Sequence, residues 1–174
     1  MFARPRIGLI QVYTGEGKGK TTAALGLAVR AAGYGMKIAF IQFLKGRPSG
    51  EHNFLAKYPM FAFFKGATLD SFIAPPEQLR QESAGMLDLA EEKMLSDQFD
   101  LMILDEINVV VSKGYIGIAR MLEFLDKKPA GTELVLTGRG APQEIIQKAG
   151  LVTEMSLIKH PYQKGIGSRK GIEY

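Results

Sequence analysis

The chain has 174 residues, 46% of them hydrophobic and 23% charged, with a net charge of +4. That length suits one domain with a single core over residues 1–174, and the lysines and arginines are scattered, which excludes a concentrated basic arm for nucleic acid. The absence of cysteine excludes disulfides and thiolate chemistry and fits a reducing cytoplasm, two histidines are too few for a histidine-built metal site, and no apolar run approaches the ~18 residues of a membrane span.

Arg4-Pro-Arg6 followed by Ile7-Gly-Leu-Ile10 has the outline of a short signal peptide. The apolar stretch is brief and runs into Gln11, so Ile7–Tyr13 reads instead as a buried first strand. Next comes Thr14-Gly-Glu-Gly-Lys-Gly-Lys-Thr-Thr22, opening onto a helical pattern over Thr21–Tyr34 that Gly33 and Gly35 end. Strand, glycine-rich turn, Gly-Lys-Thr and helix form the arrangement of a phosphate-binding loop. Gly15, Gly17 and Gly19 can take positive φ and let the backbone approach a ligand closely. The loop amides then converge on one concavity, and the helix start adds partial positive charge. A nucleotide triphosphate is the guest this favours. Thr14 stands where the usual G-x-x-x-x-G-K-[ST] spacing has its first glycine.

The candidate nucleotide-binding residues are therefore Thr14, Gly15, Glu16, Gly17, Lys18, Gly19, Lys20, Thr21 and Thr22. Lys20 can reach the phosphates from the first helical turn. Several charged hydrogen bonds of about 1.5–3 kcal/mol each outweigh a helix dipole of ~0.3–1 kcal/mol. The Thr21 hydroxyl stands where a magnesium ligand belongs. Thr22 stays open between a phosphate contact and an ordinary helix residue.

A second strand, Lys37–Phe43, leads into Gln42-Phe-Leu-Lys-Gly46 and Gly50-Glu-His-Asn53. Glu51 reads as an exposed loop acid, with orienting a water or binding the ligand as the alternative. His52 and His160 read as surface or partly packed. Met60–Phe64 is a third strand whose Phe61, Phe63 and Phe64 suit a core. Pro75-Pro76 precedes a helix over Glu77–Leu95 with a broad apolar face.

Phe99-Asp-Leu-Met-Ile-Leu-Asp105-Glu106 contains the fourth strand, Leu101–Leu104, and ends in two acids. In a doubly wound fold they lie at the carboxyl edge of the sheet, beside the phosphate loop. Magnesium prefers one or two carboxylates together with phosphates and water, so Asp105 and Glu106 join Thr21 as candidate ligands. A helix follows over Tyr115–Leu125, then a strand over Glu133–Thr137 that ends in Gly138-Arg-Gly140. Arg139 could contact phosphate or ribose or reach a neighbouring subunit's nucleotide, and a plain turn fits its spacing as well. Pro142 starts a short helix that Gly150 ends, Val152–Ile158 is a last strand, and the tail after His160 reads as irregular. Strands alternating with helices predict an α/β domain, a mostly parallel sheet with helices on both faces.

The chain resembles the ATP:corrinoid adenosyltransferase family of the CobA/BtuR type. The phosphate loop Thr14–Ala24 carries the resemblance first, followed by Gln42-Phe-Leu-Lys-Gly46, Glu51-His-Asn53, Leu104-Asp-Glu106, Thr137-Gly-Arg-Gly140, Lys159-His160 and Gly171-Ile-Glu-Tyr174. The resemblance implies a RecA-like P-loop fold, a homodimer, and transfer of the 5′-deoxyadenosyl group of ATP to the reduced cobalt of a corrinoid co-substrate. It implies ATP held with reversed polarity by Lys20 and the loop amides, Mg2+ bound by Thr21 and Glu106, and a reductase as electron donor. Cobalt is then the nucleophile, so no catalytic side chain is needed. Some members carry aromatic side chains near the corrinoid where Ala67 and Leu69 stand here, and some have an N-terminal helical extension before the first strand. A RecA-like ATP hydrolase, using Glu51 to orient water and Arg139 as a finger, and a nucleotide-binding regulator are the alternative readings.

Overall fold

A computed structural model describes residues 7–44, 49–66 and 73–173. Lys45, Gly46, Ala67, Leu69 and Tyr174, named above for the resemblance, lie outside the described residues. The described elements are β1 (Ile10–Thr14), α1 (Lys20–Gly33), β2 (Ile38–Gln42), α2 (Gly50–Leu55), β3 (Phe61–Lys65), α3 (Pro76–Leu95), β4 (Leu101–Asp105), α4 (Ile107–Ser112), α5 (Ile118–Asp126), β5 (Glu133–Thr137), α6 (Gln143–Lys148) and β6 (Leu151–Glu154), with a 3-10 turn at Pro161–Lys164.

The strands form one six-stranded sheet in the order β3-β2-β4-β5-β1-β6. Every pairing is parallel. Successive side chains of a strand point to opposite faces, and the core divides accordingly. Ile38, Phe40, Leu101, Ile103 and Val135 face one way and pack on Ala24, Ala28 and Ala31 of α1. Ala39, Ile41, Met102, Leu104, Leu134 and Leu136 face the other way, onto α3, α4, α5 and α6. Both faces being covered explains why β2 and β4 are buried along their whole length. The alanine stripe of α1 removes side-chain bulk between helix and sheet, which holds the helix start close to the strand ends.

Several expected boundaries shift, among them the start of α5, at Ile118 instead of Tyr115. Strand β1 begins at Ile10 because Gly8 is pressed against the loop before β5: a Cβ there would lie 2.2 Å from the Thr132 carbonyl oxygen. Strand β6 ends at Glu154 because Met155 turns away to meet the phosphate loop, its carbonyl accepting the Gly17 amide at 2.6 Å. Residues 107–112 form a helix that the sequence pattern does not announce, and Gly50–Asn53, expected in the loop after the second strand, lie in helix α2.

Candidate functional site

Four consecutive strands of the sheet end in a buried polar residue. Gln42 of β2, Asp105 of β4, Thr137 of β5 and Thr14 of β1 are 1%, 0%, 0% and 9% exposed. A buried polar group is costly unless it is hydrogen-bonded; Gln42 and Thr137 both donate to Asp105, while Gln42 Oε1 is left without a partner among the described residues. Asp105 Oδ2 accepts from Gln42 Nε2 at 2.8 Å, and Asp105 Oδ1 accepts from the hydroxyls of Thr137 at 2.7 Å and Thr21 at 2.8 Å. The Thr21 bond joins the first turn of α1 to the end of β4. Thr14 turns its hydroxyl away from the loop to accept from the Ala141 amide at 3.2 Å.

Above this row lies a cavity of about 600 Å³. Glu16 to Thr22 form one wall, Glu106, Glu51 and Arg139 another, and His160, Ser168 and Gly171 to Glu173 of the tail a third. A volume of this order suits a small-molecule site. Thr14, Gly15 and Asp105 do not line it; Gly15 contributes a carbonyl beneath it, and Asp105 sits behind Thr21.

Lys20 is 8% exposed and donates from Nζ to the carbonyl oxygens of Gly15 and Gly17, each at 2.7 Å. Burial lowers its pKa, and the nearby Glu106 carboxylate offsets part of that effect. An ammonium held this way is aimed along the loop and keeps a third donor for an anion.

The loop glycines differ in their reasons. Gly15 and Gly19 take φ of 93° and 120°, as expected of glycine. Gly17 does not adopt positive φ. It is glycine because a Cβ would lie 2.6 Å from the Ser156 carbonyl oxygen and 2.7 Å from that of Met155. Arg139 pairs with Glu16 at 3.3 Å, both side chains about 63% exposed or more. Such a pair contributes about 0–1 kcal/mol, so an anionic ligand can exchange for it. Lys18 bonds to the Glu173 carboxylate and the Ile172 carbonyl oxygen, each at 3.2 Å, which draws the tail over the loop.

Glu106 has φ 64°, the left-handed region that a residue with a side chain occupies at a cost of about 1–3 kcal/mol. Its amide donates to the Thr137 hydroxyl at 3.0 Å, and its side chain lines the cavity. Among the described residues no cluster of three or more His, Cys, Asp or Glu could hold a metal alone. Magnesium needs no such cage where phosphate oxygens complete its sphere. The donors here fit it: Thr21 gives its hydrogen to Asp105 and keeps its lone pairs, and Glu106 adds a carboxylate.

Several participants escaped the sequence reading. Gln42 and Thr137 enter there only within strand runs and motifs of the resemblance, with no role of their own, and only the placement of neighbouring strands brings them to Asp105. Glu51, read as an exposed loop acid with ligand or water binding as the alternative, and His160, read as surface or partly packed, both line the cavity. His52 packs edge-on against Phe63 with ring centroids 5.3 Å apart.

Residues 6–174 match the family described as ATP:corrinoid adenosyltransferase BtuR/CobO/CobP. The corrinoid adenosyltransferase of Pseudomonas aeruginosa is 36% identical over 99% of this chain and 86% of its own. That of a Sinorhizobium species is 40% identical over 96% of this chain and 80% of its own. Among solved structures, the flagellar accessory protein FlaH of Methanocaldococcus jannaschii is similar with a TM-score of 0.58 at 13% identity, covering 86% of this chain and 71% of that one. That last likeness speaks to the P-loop fold alone.

Proposed function

The chain belongs to the ATP:corrinoid adenosyltransferase family, and from that premise we propose that the cavity over Glu16–Thr22 is where it holds ATP for transfer. The protein is a transferase that moves the 5′-deoxyadenosyl group of ATP to the reduced cobalt of a corrinoid. A cobalt–carbon bond forms at the 5′ carbon, the bond from that carbon to the triphosphate breaks, and the triphosphate leaves with the electron pair. Cobalt is oxidised as the carbon is transferred, so an electron donor must reduce the corrinoid beforehand.

The observation that carries the placement is the lining of the cavity. Lys20, the loop amides and Arg139 share it with Glu106, and the attacking nucleophile belongs to the substrate. What the chain must do is neutralise the charge of a departing triphosphate and hold the 5′ carbon in line. Lys20 serves the first need by exchanging its bonds to the Gly15 and Gly17 carbonyls for phosphate oxygens. Arg139 serves it by exchanging Glu16. Thr21 and Glu106 hold Mg2+, which when bound adds positive charge at the triphosphate. Asp105 acts behind Thr21, fixing the direction of its hydroxyl. A homodimer, a reductase partner and a cytoplasmic setting belong to the same reading, supported by the resemblance and by a cysteine-free composition.

Incubation with ATP, magnesium and a chemically reduced corrinoid tests the reading. Alkyl-cobalt absorbance appearing together with free triphosphate is the expected outcome. ADP and phosphate formed without corrinoid would support a hydrolase instead.

A further inference from the structure

We propose that Thr137 is a positioning residue that holds Glu106 and Thr21 in the geometry a magnesium–nucleotide complex requires. The inference rests on the cavity being the ATP site and goes beyond it, to a residue that touches neither nucleotide nor metal. Thr137 Oγ1 makes two bonds of opposite sense. It donates its hydrogen to Asp105 Oδ1 at 2.7 Å and accepts the Glu106 amide at 3.0 Å. The first bond acts on Thr21, because the same Asp105 oxygen accepts the Thr21 hydroxyl at 2.8 Å. The second acts on Glu106, whose left-handed backbone persists only where its surroundings fix it. One hydroxyl at the end of β5 thus ties together the two groups that face the metal, from the start of α1 and from the end of β4.

The residue type follows from this double role. A hydroxyl is the smallest side-chain group that donates and accepts at once. Valine keeps the shape of threonine and loses both bonds. Serine keeps both bonds and loses a methyl group. Thr137 is 0% exposed, so no bulk water stands ready to replace the hydroxyl. Groups that orient metal ligands in this way typically contribute 10–100-fold to metal affinity or activity.

The test compares the wild-type protein with Thr137→Val and Thr137→Ser in two measurements. ATP affinity is determined by titration calorimetry with and without magnesium, and Mn2+ binding to the protein–ATP complex is followed by electron paramagnetic resonance. Thr137→Val should lose about 10–100-fold of the divalent-dependent part of ATP affinity and of Mn2+ affinity. Its metal-free ATP affinity should match wild type, which also reports an intact fold. Thr137→Ser should recover most of the loss. Unchanged Mn2+ affinity in Thr137→Val overturns the proposal. So does a loss of metal-free ATP affinity equal to the loss with metal, or a failure of serine to restore metal binding. If wild-type ATP binding itself takes no account of magnesium, the metal reading of the site fails, an outcome separate from the behaviour of the variants.

Discussion

The amide of Gly17 donates to the carbonyl of Met155 across 2.6 Å, fastening the middle of the phosphate loop to the chain as it leaves β6. The loop is shaped on this side by close backbone contact, since Cβ atoms at Gly15 and Gly17 would lie 2.5 and 2.6 Å from the nearest carbonyl oxygens of that segment. Gly17→Ala should therefore displace the loop and destabilise the protein by about 1–3 kcal/mol, read from denaturant unfolding. Gly26→Ala serves as the control: it lies within α1 with no atom within 4 Å of its Cβ position, and it should stabilise by about 0.5–1 kcal/mol.

Lys20→Ala should weaken ATP binding about 10–150-fold, the loss of charged hydrogen bonds totalling roughly 1.5–3 kcal/mol. Titration calorimetry measures it, and unchanged affinity would remove Lys20 from the site. Because burial sets the Lys20 pKa below its usual 10.5, ATP affinity in the wild type should begin to fall at a lower pH than an exposed lysine would allow.

Glu106→Gln retains the shape of the side chain and removes its charge. Adenosyl transfer and the magnesium-dependent part of ATP affinity should each drop about 10–100-fold, while metal-free ATP binding is retained. Equal losses with and without magnesium would assign Glu106 to the nucleotide instead of the metal.

Bonds from the Arg169 side chain and backbone amide hold the Glu173 pKa down to about 2, below its usual 4.5, with a further contribution from Lys18. The tail contact is complete above pH 4.5 and is lost as the pH falls through about 2. A carboxyl titration followed by NMR should give a midpoint near the lower value. A midpoint near 4.5 would mean that the tail does not rest on Lys18 and Arg169 in solution.

Much of the fold was legible because parallel strands buried on both faces appear as short apolar runs between glycine, proline and charged residues. Strands β2, β3, β4 and β5 fall where such runs lie. Helix α4 was not legible, for a physical reason. Ile107-Asn-Val-Val-Val-Ser112 is β-branched in composition and resembles a strand, yet Ile107, Asn108, Val110 and Val111 are buried as a helix between β4 and β5. Tertiary packing overrides intrinsic propensity there. At the site, the gathering of Lys20, Thr21 and Glu106 around one cavity was legible because glycine spacing and strand ends announce them, whereas Asp105, read as a metal ligand, lies behind Thr21 instead of in the cavity. The Asp105 hub was not legible, since its partners Gln42 and Thr137 are 63 and 32 residues away in the chain and meet it only through strand order. Gly17 shows a third case, in which the residue was anticipated and its cause was not.

Strand β6 lies at the rim of the sheet with all four of its residues exposed, and it is also the element that anchors the loop. Rims of this kind open more readily than sheet interiors. When this one opens, the loop loses its mooring at Met155 while the central strands remain paired. The hold on a nucleotide is thus coupled to the breathing of the sheet's outermost strand, and a bound triphosphate should slow solvent exchange of the Thr153 to Met155 amides more than that of any central strand.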